Sequence, residues 1–335
     1  MADVFLKLLA KERETILRKG ESQLGRAANI LEKDVWVCWV LGKLFAMPGR
    51  KKMVFKGGTS LSKAFGAIQR FSEDVDVTID YRELDTSVSP FGEKPPSRSQ
   101  LDRYTDKLRK ELKEYVGGRV VPYFELLLKQ EFPSGDTSVK VEGENVFIHY
   151  PSALGEKASG YIPRHILIEF GGRNAIEPNE DHEVHPEIAG EWKDVEFPVA
   201  RATVLSPLRT FWEKATLAHV ACNEGKIRGG AERYSRHWYD LTVLADHSIG
   251  KKALVDRNLL EDVVRHKKVF YASKDSRYED CLEGKFRIIP GEELLVELRK
   301  DFERMRSAEM FFVTPPSFEE ITARLRKLEE AINGG

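Results

Sequence analysis

The alternation of hydrophobic and polar residues predicts a strand, a turn, a short helix and a second strand between residues 53 and 80. Met53–Phe55 is a short apolar run, and Gly57-Gly58 directly after it predicts a turn into a helix. Residues 74–80 alternate, so that Val75, Val77 and Ile79 fall on one strand face and Asp74, Asp76, Thr78 and Asp80 on the other. Neighbouring carboxylates on one face repel each other, and a bound cation relieves that repulsion.

The same patterns predict further elements in the first 200 residues. They are helices at 3–19 and 29–45, a helix from a capping box of Ser99 and Asp102 to Gly117-Gly118, a hairpin at 139–150 around Gly143, and a strand at 165–170. Beyond Pro198 the pattern becomes helical, beginning at Ser206-Pro207. The later predicted helices are 231–247, 256–269, 291–310 and one from the capping box Ser317 and Glu320 to about residue 332.

This order of elements predicts an α+β (mixed α/β) protein with two parts. The first, residues 1–200, would hold two N-terminal helices and an α/β lobe, and the second, residues 201–335, would be an α-helical lobe.

Composition narrows the class of protein. The 335-residue chain is 41% hydrophobic and has a formal net charge of −1, which gives no global reason to bind nucleic acid. Its three cysteines are scattered, and no signal peptide or membrane-length apolar run is evident. We expect a cytoplasmic protein that does not associate with membranes. Binding of RNA would need local patches, for which the candidates are the cations of 103–113 and the basic loop 226–236.

The glycine turn has the features of a phosphate-binding site. Gly57 and Gly58 let the backbone approach a ligand closely, and the N–H groups at the following helix start favour an anion. Thr59 and Ser60 would add hydroxyl donors. Combined with Asp74 and Asp76, this turn predicts a site for a divalent metal and a nucleoside triphosphate. The alternative is an ordinary strand-to-helix turn in which Thr59 caps the helix.

KGGTSLSK followed by RFSEDVDV resembles the nucleotidyltransferase superfamily that includes DNA polymerase β. More closely it resembles the AbiEii/AbiGii toxin family of nucleotidyltransferases, relatives of the MenT toxins. PLRTFWEKATLAH and RYSRHWYDL also resemble family segments, so the resemblance runs from about Glu32 to the C-terminal helices. The spacer between the glycine turn and Asp74 is on the long side of the superfamily pattern. The resemblance implies a polymerase β-like core with a mixed sheet, followed by a mainly helical lobe.

The resemblance also implies roles for single residues. Asp74 and Asp76 would hold Mg²⁺ (or Mn²⁺) ions that bridge the triphosphate and the attacking hydroxyl. A third metal carboxylate is usual in the superfamily, and Glu169 is the candidate because it is the only acid inside the apolar strand HILIEF. The alternative for Glu169 is a strand-edge position that faces solvent.

Lys214 and Asp240 match a lysine and an aspartate that the toxin family carries on two following helices. Lys214 would contact the nucleotide's phosphates, and Asp240 would orient Lys214, Arg236 or the acceptor, so that the site would be a cleft between the two lobes. The alternative is a plain i, i+4 pair of Arg236 and Asp240 on one helix. Ser72 matches a serine of MenT-type relatives. Lys63 and Arg70 flank the site and would either contact the triphosphate or lie on a solvated helix face. The complete set predicted to bind the NTP is Gly57, Gly58, Thr59, Ser60, Lys63, Arg70, Ser72 and Arg236.

The resemblance implies a nucleotidyltransferase toxin that transfers a nucleotide from an NTP to RNA, with the 3′ end of tRNA as the expected acceptor and pyrophosphate as the product. A cognate antitoxin would restrain it. The alternatives are a nucleotidyltransferase with a protein or small-molecule acceptor, and an NTP-binding module without turnover. His182 and His185 form a weaker candidate for a zinc site.

Overall fold

Two units share the chain. The structure, a computed structural model, describes residues 3–155, 163–227 and 232–334. The first unit comprises Met1–Ala64 and Ser72–Val204, and the second comprises Phe65–Phe71 and Leu205–Gly335. The short segment Phe65–Phe71 therefore belongs to the second unit, although the chain on both sides of it belongs to the first.

The first unit contains all the strands that the structure assigns along the described chain. They are β1 (Asp3–Val4), β2 (Met53–Lys56), β3 (Val75–Ile79), β4 (Ser138–Glu142), β5 (Asn145–His149), β6 (His165–Gly171), β7 (Asn179–Val184), β8 (Val195–Glu196) and β9 (Ala200–Leu205), whose last residue opens the second unit. Its helices are α1 (Ala10–Leu24), α2 (Ala28–Phe45), α3 (Gly57–Lys63), α4 (Tyr81–Leu84), α5 (Arg98–Tyr115) and α6 (Val121–Glu131).

The seven-stranded sheet has the order β4-β5-β6-β3-β2-β9-β7, with β3 at its centre. Strand β3 is parallel to β6 and antiparallel to β2, and β2 is parallel to β9. The predicted mixed α/β class is therefore confirmed. The predicted hairpin is also present, as β4 and β5 around Gly143, which has a φ of +65°.

The apolar face of β3 is buried as predicted, whereas part of its polar face is buried as well. Val75, Val77 and Ile79 are at most 1% exposed, as the pattern predicts. Thr78 and Asp80 are also buried, because the polar face is covered at the carboxyl end of the strand. Only the end that carries Asp74 and Asp76 stays half-buried, which leaves these two acids accessible together.

Three predicted boundaries in the first unit were wrong. The first predicted helix begins at Ala10 rather than at residue 3, because Phe5 precedes it in a buried 3-10 turn and stacks on Phe197 with ring centroids 4.8 Å apart. Helix α5 starts from a capping box of Ser97 and Gln100, not of Ser99 and Asp102. Gly117-Gly118 does not end this helix, because residues 116–120 form a π-helical turn that leads directly into α6.

The second unit is helical. Its helices are α7 (Pro207–Glu224), α8 (Arg236–Asp246), α9 (Ser248–Val255), α10 (Arg257–Phe270), α11 (Glu292–Ser307) and α12 (Phe318–Asn333). The predicted starts at Ser206 and Ser317 are confirmed by side-chain caps. Helix α9 was not predicted, and α8 begins at Arg236, later than predicted.

The segment Phe65–Phe71 joins the second unit through main-chain hydrogen bonds. The Phe71 N–H donates to the Met310 carbonyl at 2.7 Å, and the Phe312 N–H donates to the Gln69 carbonyl at 3.0 Å. Between them, Arg70 and Phe311 form an antiparallel bridge. These bonds fix Arg70 against the helices of the second unit. Within the described ranges, no helix is long and apolar enough to cross a membrane.

Candidate active site

Two of the three predicted metal carboxylates are direct neighbours in the sheet of the first unit. Asp76 on β3 pairs in register with Glu169 on β6, and Lys56 on β2 is the register partner of Asp76 on its other side. Partners in register on adjacent strands project from the same face, roughly 4.8 Å apart. Asp74, two residues before Asp76, projects from that face as well. The sheet therefore places Asp76 beside Glu169, with Asp74 just before the strand.

The alternative interpretation of Glu169 as a strand-edge residue is wrong. Strand β6 lies between β5 and β3, and Glu169 has register partners on both sides, Asn145 and Asp76. An acid in an inner strand beside another acid is unfavourable unless a cation or a hydrogen-bond donor compensates its charge.

The donor chemistry of this group fits a hard divalent ion, whereas a preformed cage is not present. Carboxylate oxygens are the ligands that Mg²⁺ prefers, and Mg²⁺ is commonly held by one or two carboxylates together with substrate phosphates. No three His, Cys, Asp or Glu side chains of the described residues lie close enough to hold a metal by themselves. Asp74, Asp76 and Glu169 as metal ligands therefore stay a prediction. His182 pairs with Glu180 on β7, and His185, just after β7, pairs with Glu183. Among the described residues, no group of three potential metal ligands includes either histidine.

The glycine turn between β2 and α3 touches the carboxylate directly. Gly57 has a φ of +80°, in the region that favours glycine, and a Cβ placed on it would lie 2.1 Å from Oδ2 of Asp76. Any other residue at position 57 would displace that carboxylate. The sequence predicted that the backbone at Gly57 approaches a ligand closely, and in the structure it approaches the Asp76 carboxylate.

Thr59, Ser60 and Ser72 have partners within the protein. The Thr59 hydroxyl is fully buried and donates to the Asp74 carbonyl oxygen at 2.6 Å, with the Ser72 hydroxyl 2.8 Å away. The Ser60 hydroxyl donates to the Gly57 carbonyl at 3.0 Å. These bonds connect the turn to the start of β3, so the structure gives the three hydroxyls a positioning role. Their direct contact with phosphate stays a prediction, as does that of the buried Gly58.

Lys63 is held by a carboxylate of its own unit and is not presented to a ligand. Its ammonium forms a buried ion pair with Asp34 on α2. Burial alone would lower the pKa of Lys63, but the Asp34 carboxylate outweighs that effect and raises it. The geometry does not support the predicted contact of Lys63 with a triphosphate, because its charge is already compensated.

A buried ion pair that the sequence analysis missed anchors the start of β3. Lys33 on α2 donates to Glu73 at 2.5 Å and to the Pro163 carbonyl at 2.9 Å, and neither Lys33 nor Glu73 is more than 2% exposed. Glu73 directly precedes Asp74, so this pair fixes the residue next to the candidate metal ligand. One signal was available in the sequence, since Lys33 has Ile30 and Val37 as its i−3 and i+4 neighbours on an apolar helix face.

The second unit contains a separate buried cluster, formed by Arg70, Lys214, His237 and Asp240. Arg70 donates to both Asp240 oxygens at 2.7 Å, and the Lys214 ammonium lies 2.9 Å from Asp240 Oδ2. Asp240 is 0% exposed and Lys214 is 7% exposed. The predicted proximity of Lys214 and Asp240 is therefore present, whereas the alternative of a plain Arg236–Asp240 helix pair does not describe the main partners of Asp240.

The cluster sets the protonation of its members. Burial would raise the pKa of Asp240, but the Arg70 and Lys214 cations hold it well below its usual range. Burial lowers the pKa of Lys214, and Asp240 opposes that shift. Burial and the Lys214 charge hold the pKa of His237 well below its usual value, so its Nδ1, 3.4 Å from the Lys214 ammonium, is an acceptor at neutral pH.

Arg70 is buried and paired within its own unit. It is 2% exposed, and its guanidinium donates to Asp240 and, at 3.1 Å, to the Phe71 carbonyl, so the geometry does not support the predicted contact of Arg70 with a triphosphate. Arg70 and Asp240 are 170 residues apart in the chain, and no local pattern indicates such a pair. Arg236 is half-buried and adds positive charge near Lys214.

The candidate RNA contacts receive unequal support. The cations of residues 103–113 on α5 are exposed, and three of them have acidic partners, namely Lys107 with Asp85, Arg109 with Asp106 and Lys110 with Glu114. This pairing favours an ordinary solvated face. The loop 226–236 includes residues 228–231, which lie outside the described residues.

Comparison with known proteins identifies first the class and then the family. A family model described as "Nucleotidyl transferase AbiEii toxin, Type IV TA system" matches residues 39–324, so the protein is a nucleotidyltransferase. The chain belongs to the AbiEii toxin family of type IV toxin–antitoxin systems. No curated protein sequence matches it significantly.

Two solved structures are similar to this chain. One is MenT4, a nucleotidyltransferase toxin from Mycobacterium tuberculosis H37Rv, at 20% identity and a TM-score of 0.49, with 94% of this chain and 88% of that chain covered. The other is JHP933 from Helicobacter pylori, at 16% identity and a TM-score of 0.41, with 89% and 90% covered. Both TM-scores are below 0.5, so the family match carries the assignment.

Proposed function

We propose that this nucleotidyltransferase toxin uses Asp74, Asp76 and Glu169, with Mg²⁺ or Mn²⁺, to transfer a nucleotide from an NTP to an RNA acceptor with release of pyrophosphate. The observation that carries the proposal is the register pairing of Asp76 with Glu169, with Gly57 against the Asp76 carboxylate. A phosphoryl-transfer site needs concentrated negative charge that is held rigidly and is open to a metal and a triphosphate.

In the proposed reaction, the acceptor hydroxyl oxygen bonds to the α-phosphorus and the bond from that phosphorus to the bridging oxygen breaks. Divalent ions, when bound, neutralise the phosphate charge and acidify the hydroxyl. The protein contributes positioning, because the sheet register holds Asp76 beside Glu169 and the Thr59 hydroxyl holds the Asp74 carbonyl. A carboxylate of this group accepts the proton of the attacking hydroxyl.

The backbone of Gly57 and Gly58 remains our candidate for contact with the phosphates, and the family resemblance assigns Lys214 to the same task. The Lys214 ammonium is paired with Asp240 in its own unit, so its contact with phosphate is proposed from the family resemblance alone. Support for a cognate antitoxin comes from membership of the AbiEii family of type IV toxin–antitoxin systems. The RNA acceptor, and tRNA in particular, is proposed from the family resemblance of the sequence. No observation specifically favours a protein acceptor or an inactive module.

The test is nucleotide transfer by purified protein. Each α-³²P-labelled NTP is incubated with total tRNA or with cell protein, with and without Mg²⁺, and pyrophosphate is measured in parallel. We expect label in RNA that depends on Mg²⁺, and a loss of about 10²-fold or more in Asp76→Asn and Glu169→Gln. Asp181→Asn and Glu196→Gln, at other strand positions, are the matched controls. Label in protein only would contradict the RNA acceptor, and unchanged transfer by Asp76→Asn would contradict the site.

A further inference from the structure

The second unit contains an aromatic cavity that the proposed chemistry does not use. Its volume is about 260 Å³, and it lies between the end of α7 and residues 267–278. Three tyrosines line it, Tyr234, Tyr271 and Tyr278, together with two lysines, Lys226 and Lys267. Pockets that enclose drug-sized ligands measure roughly 300–1,000 Å³, so this cavity suits one part of a larger ligand.

The cavity is positively charged. Lys226 and Lys267 face a single acid of the lining, Glu224, and the Glu224 carboxylate accepts a hydrogen bond from the Ser273 hydroxyl at 3.1 Å. The Lys267 ammonium lies over one face of the Tyr271 ring, 4.5 Å from its centre. Aromatic rings combined with cations suit single-stranded nucleic acid, because bases stack on aromatic rings and the phosphates need positive charge.

The cavity is connected to the Lys214 cluster within the same unit. The Tyr234 ring, which lines the cavity, contacts the His237 ring edge-on with centroids 4.9 Å apart. His237 in turn lies 3.4 Å from the Lys214 ammonium. Two side chains therefore separate the cavity from Lys214 within the second unit.

We propose that the cavity binds one nucleotide of the single-stranded end of the acceptor RNA. The base would stack on Tyr271 or Tyr234, and the phosphate would lie near Lys226 and Lys267. The proposal rests on the proposed function, since it assumes that the acceptor is RNA. It goes further in naming the residues that select an unpaired end over a duplex, because only an unpaired nucleotide can place its base in a cavity of this size.

Binding without turnover tests the proposal. Fluorescence anisotropy of a labelled ten-nucleotide single-stranded RNA is measured with the full-length protein and no NTP, for wild type, Tyr271→Leu and Tyr271→Phe. Loss of one base–aromatic stack raises the dissociation constant roughly 5- to 150-fold, so we expect that increase for Tyr271→Leu. Tyr271→Phe keeps the ring and should stay within about twofold of wild type. NTP binding, measured separately, should be the same for all three proteins.

Lysine variants on one helix test the phosphate contact. Lys267→Gln should lower the slope of log affinity against log salt concentration by about 1, as expected for one lost phosphate contact. Lys268→Gln is the matched control, because Lys268 is the next residue and pairs with Glu279 at 2.8 Å. Its salt dependence should remain that of wild type.

Several results would overturn the proposal. They are wild-type affinity for RNA in Tyr271→Leu, equal binding of a blunt RNA duplex, and a loss of NTP binding as large as the loss of RNA binding. The proposed function fails separately, if wild-type protein labels protein only or releases no pyrophosphate. If wild type labels RNA and Tyr271→Leu labels it with unchanged KM for RNA, the cavity proposal alone is wrong.

Discussion

At the scale of single residues, the tightest constraint near the carboxylates is the contact between Gly57 and Asp76. The positive φ of Gly57 and the position of the Asp76 carboxylate exclude a side chain at residue 57 for two independent reasons. The glycine that was predicted to make room for a ligand makes room for the Asp76 carboxylate, the candidate metal ligand. The identity of residue 57 should therefore matter for activity beyond its effect on folding.

Gly57→Ala should lower nucleotide transfer about tenfold or more, because the added methyl group displaces the Asp76 carboxylate from the face it shares with Glu169. It should also reduce the free energy of unfolding by about 1–3 kcal/mol through backbone strain. Transfer assays and urea unfolding on the same preparation measure both effects. Gly190→Ala is the control, since nothing lies within 4 Å of a Cβ at that glycine. Full activity in Gly57→Ala would contradict the described contact.

In the second unit, replacement of Asp240 should strongly reduce the free energy of unfolding. Asp240→Asn leaves the buried Arg70 and Lys214 cations without a counter-charge, which typically reduces the free energy of unfolding by about 3–5 kcal/mol. Urea unfolding at neutral pH measures the change. Asp246→Asn, on the same helix but in an exposed pair with Arg324, should change it by less than about 1 kcal/mol. Equal effects of the two variants would contradict the cluster.

The same carboxylate predicts a pH dependence of stability. The pKa of Asp240 is lowered in the folded protein, so its contribution is complete above the unfolded value of about 4 and is lost as pH falls through the lowered folded pKa. The urea midpoint of wild type should therefore fall more steeply below about pH 4 than that of Asp240→Asn. Parallel profiles for the two proteins would argue against the charge of Asp240 as the cause.

At the scale of secondary-structure elements, the start of β3 is held at Glu73 and at Asp74. Lys33 pairs with Glu73, and Thr59 binds the Asp74 carbonyl, so α2 and α3 both anchor one end of the central strand. The helices of the first unit thereby act on the candidate metal ligands without touching a substrate.

Lys33→Met should reduce the free energy of unfolding by about 3–5 kcal/mol, because it removes the Lys33 cation from the buried Glu73 carboxylate. The double variant Lys33→Met, Glu73→Leu removes both charges and should recover much of that loss. Thermal unfolding of the two variants provides the comparison. A double variant no more stable than Lys33→Met would show that packing, and not the charge pair, holds this segment.

Local patterns predicted the elements that have strong amphipathic or alternating sequences. Helix α2, the β4–β5 hairpin and the caps at Ser206 and Ser317 were all located from sequence. Strand β7 was missed because its sequence NEDHEV buries only one residue fully, which is what an edge strand permits. Gly117-Gly118 was misjudged because a π-helical turn accommodates both glycines within a continuing helix.

At the scale of the whole molecule, the candidate acids were predictable and their supporting contacts were not. Asp74, Asp76 and Glu169 lie within short local patterns, and the parallel pairing of β3 with β6 places Asp76 opposite Glu169. The Arg70–Asp240 and Lys33–Glu73 pairs join residues 170 and 40 positions apart. Such pairs depend on tertiary packing, which sequence periodicity does not encode.

The division of the chain predicts that the second unit is incomplete without Phe65–Phe71. A polypeptide of residues 205–335 lacks Arg70 and the main-chain bonds to Met310 and Phe312. It should therefore leave Asp240 and Lys214 without their third partner and unfold at lower temperature than the same helices do in the full chain. Hydrogen exchange of α8, measured in both proteins, tests this expectation. Equal protection would show that the segment contributes little.

The assignment of Phe65–Phe71 to the second unit also affects the order in which contacts form while the chain is synthesised on the ribosome. Phe71 finds its partner, Met310, only after another 239 residues have been made, since 310 − 71 = 239. At about 5–20 residues per second, that delay is roughly 12–48 s. During this interval the main-chain bonds that fix Arg70 against the second unit cannot form. A nascent chain that has not reached Met310 therefore carries the acids of β3 without the bonds that hold Arg70 in the ion cluster.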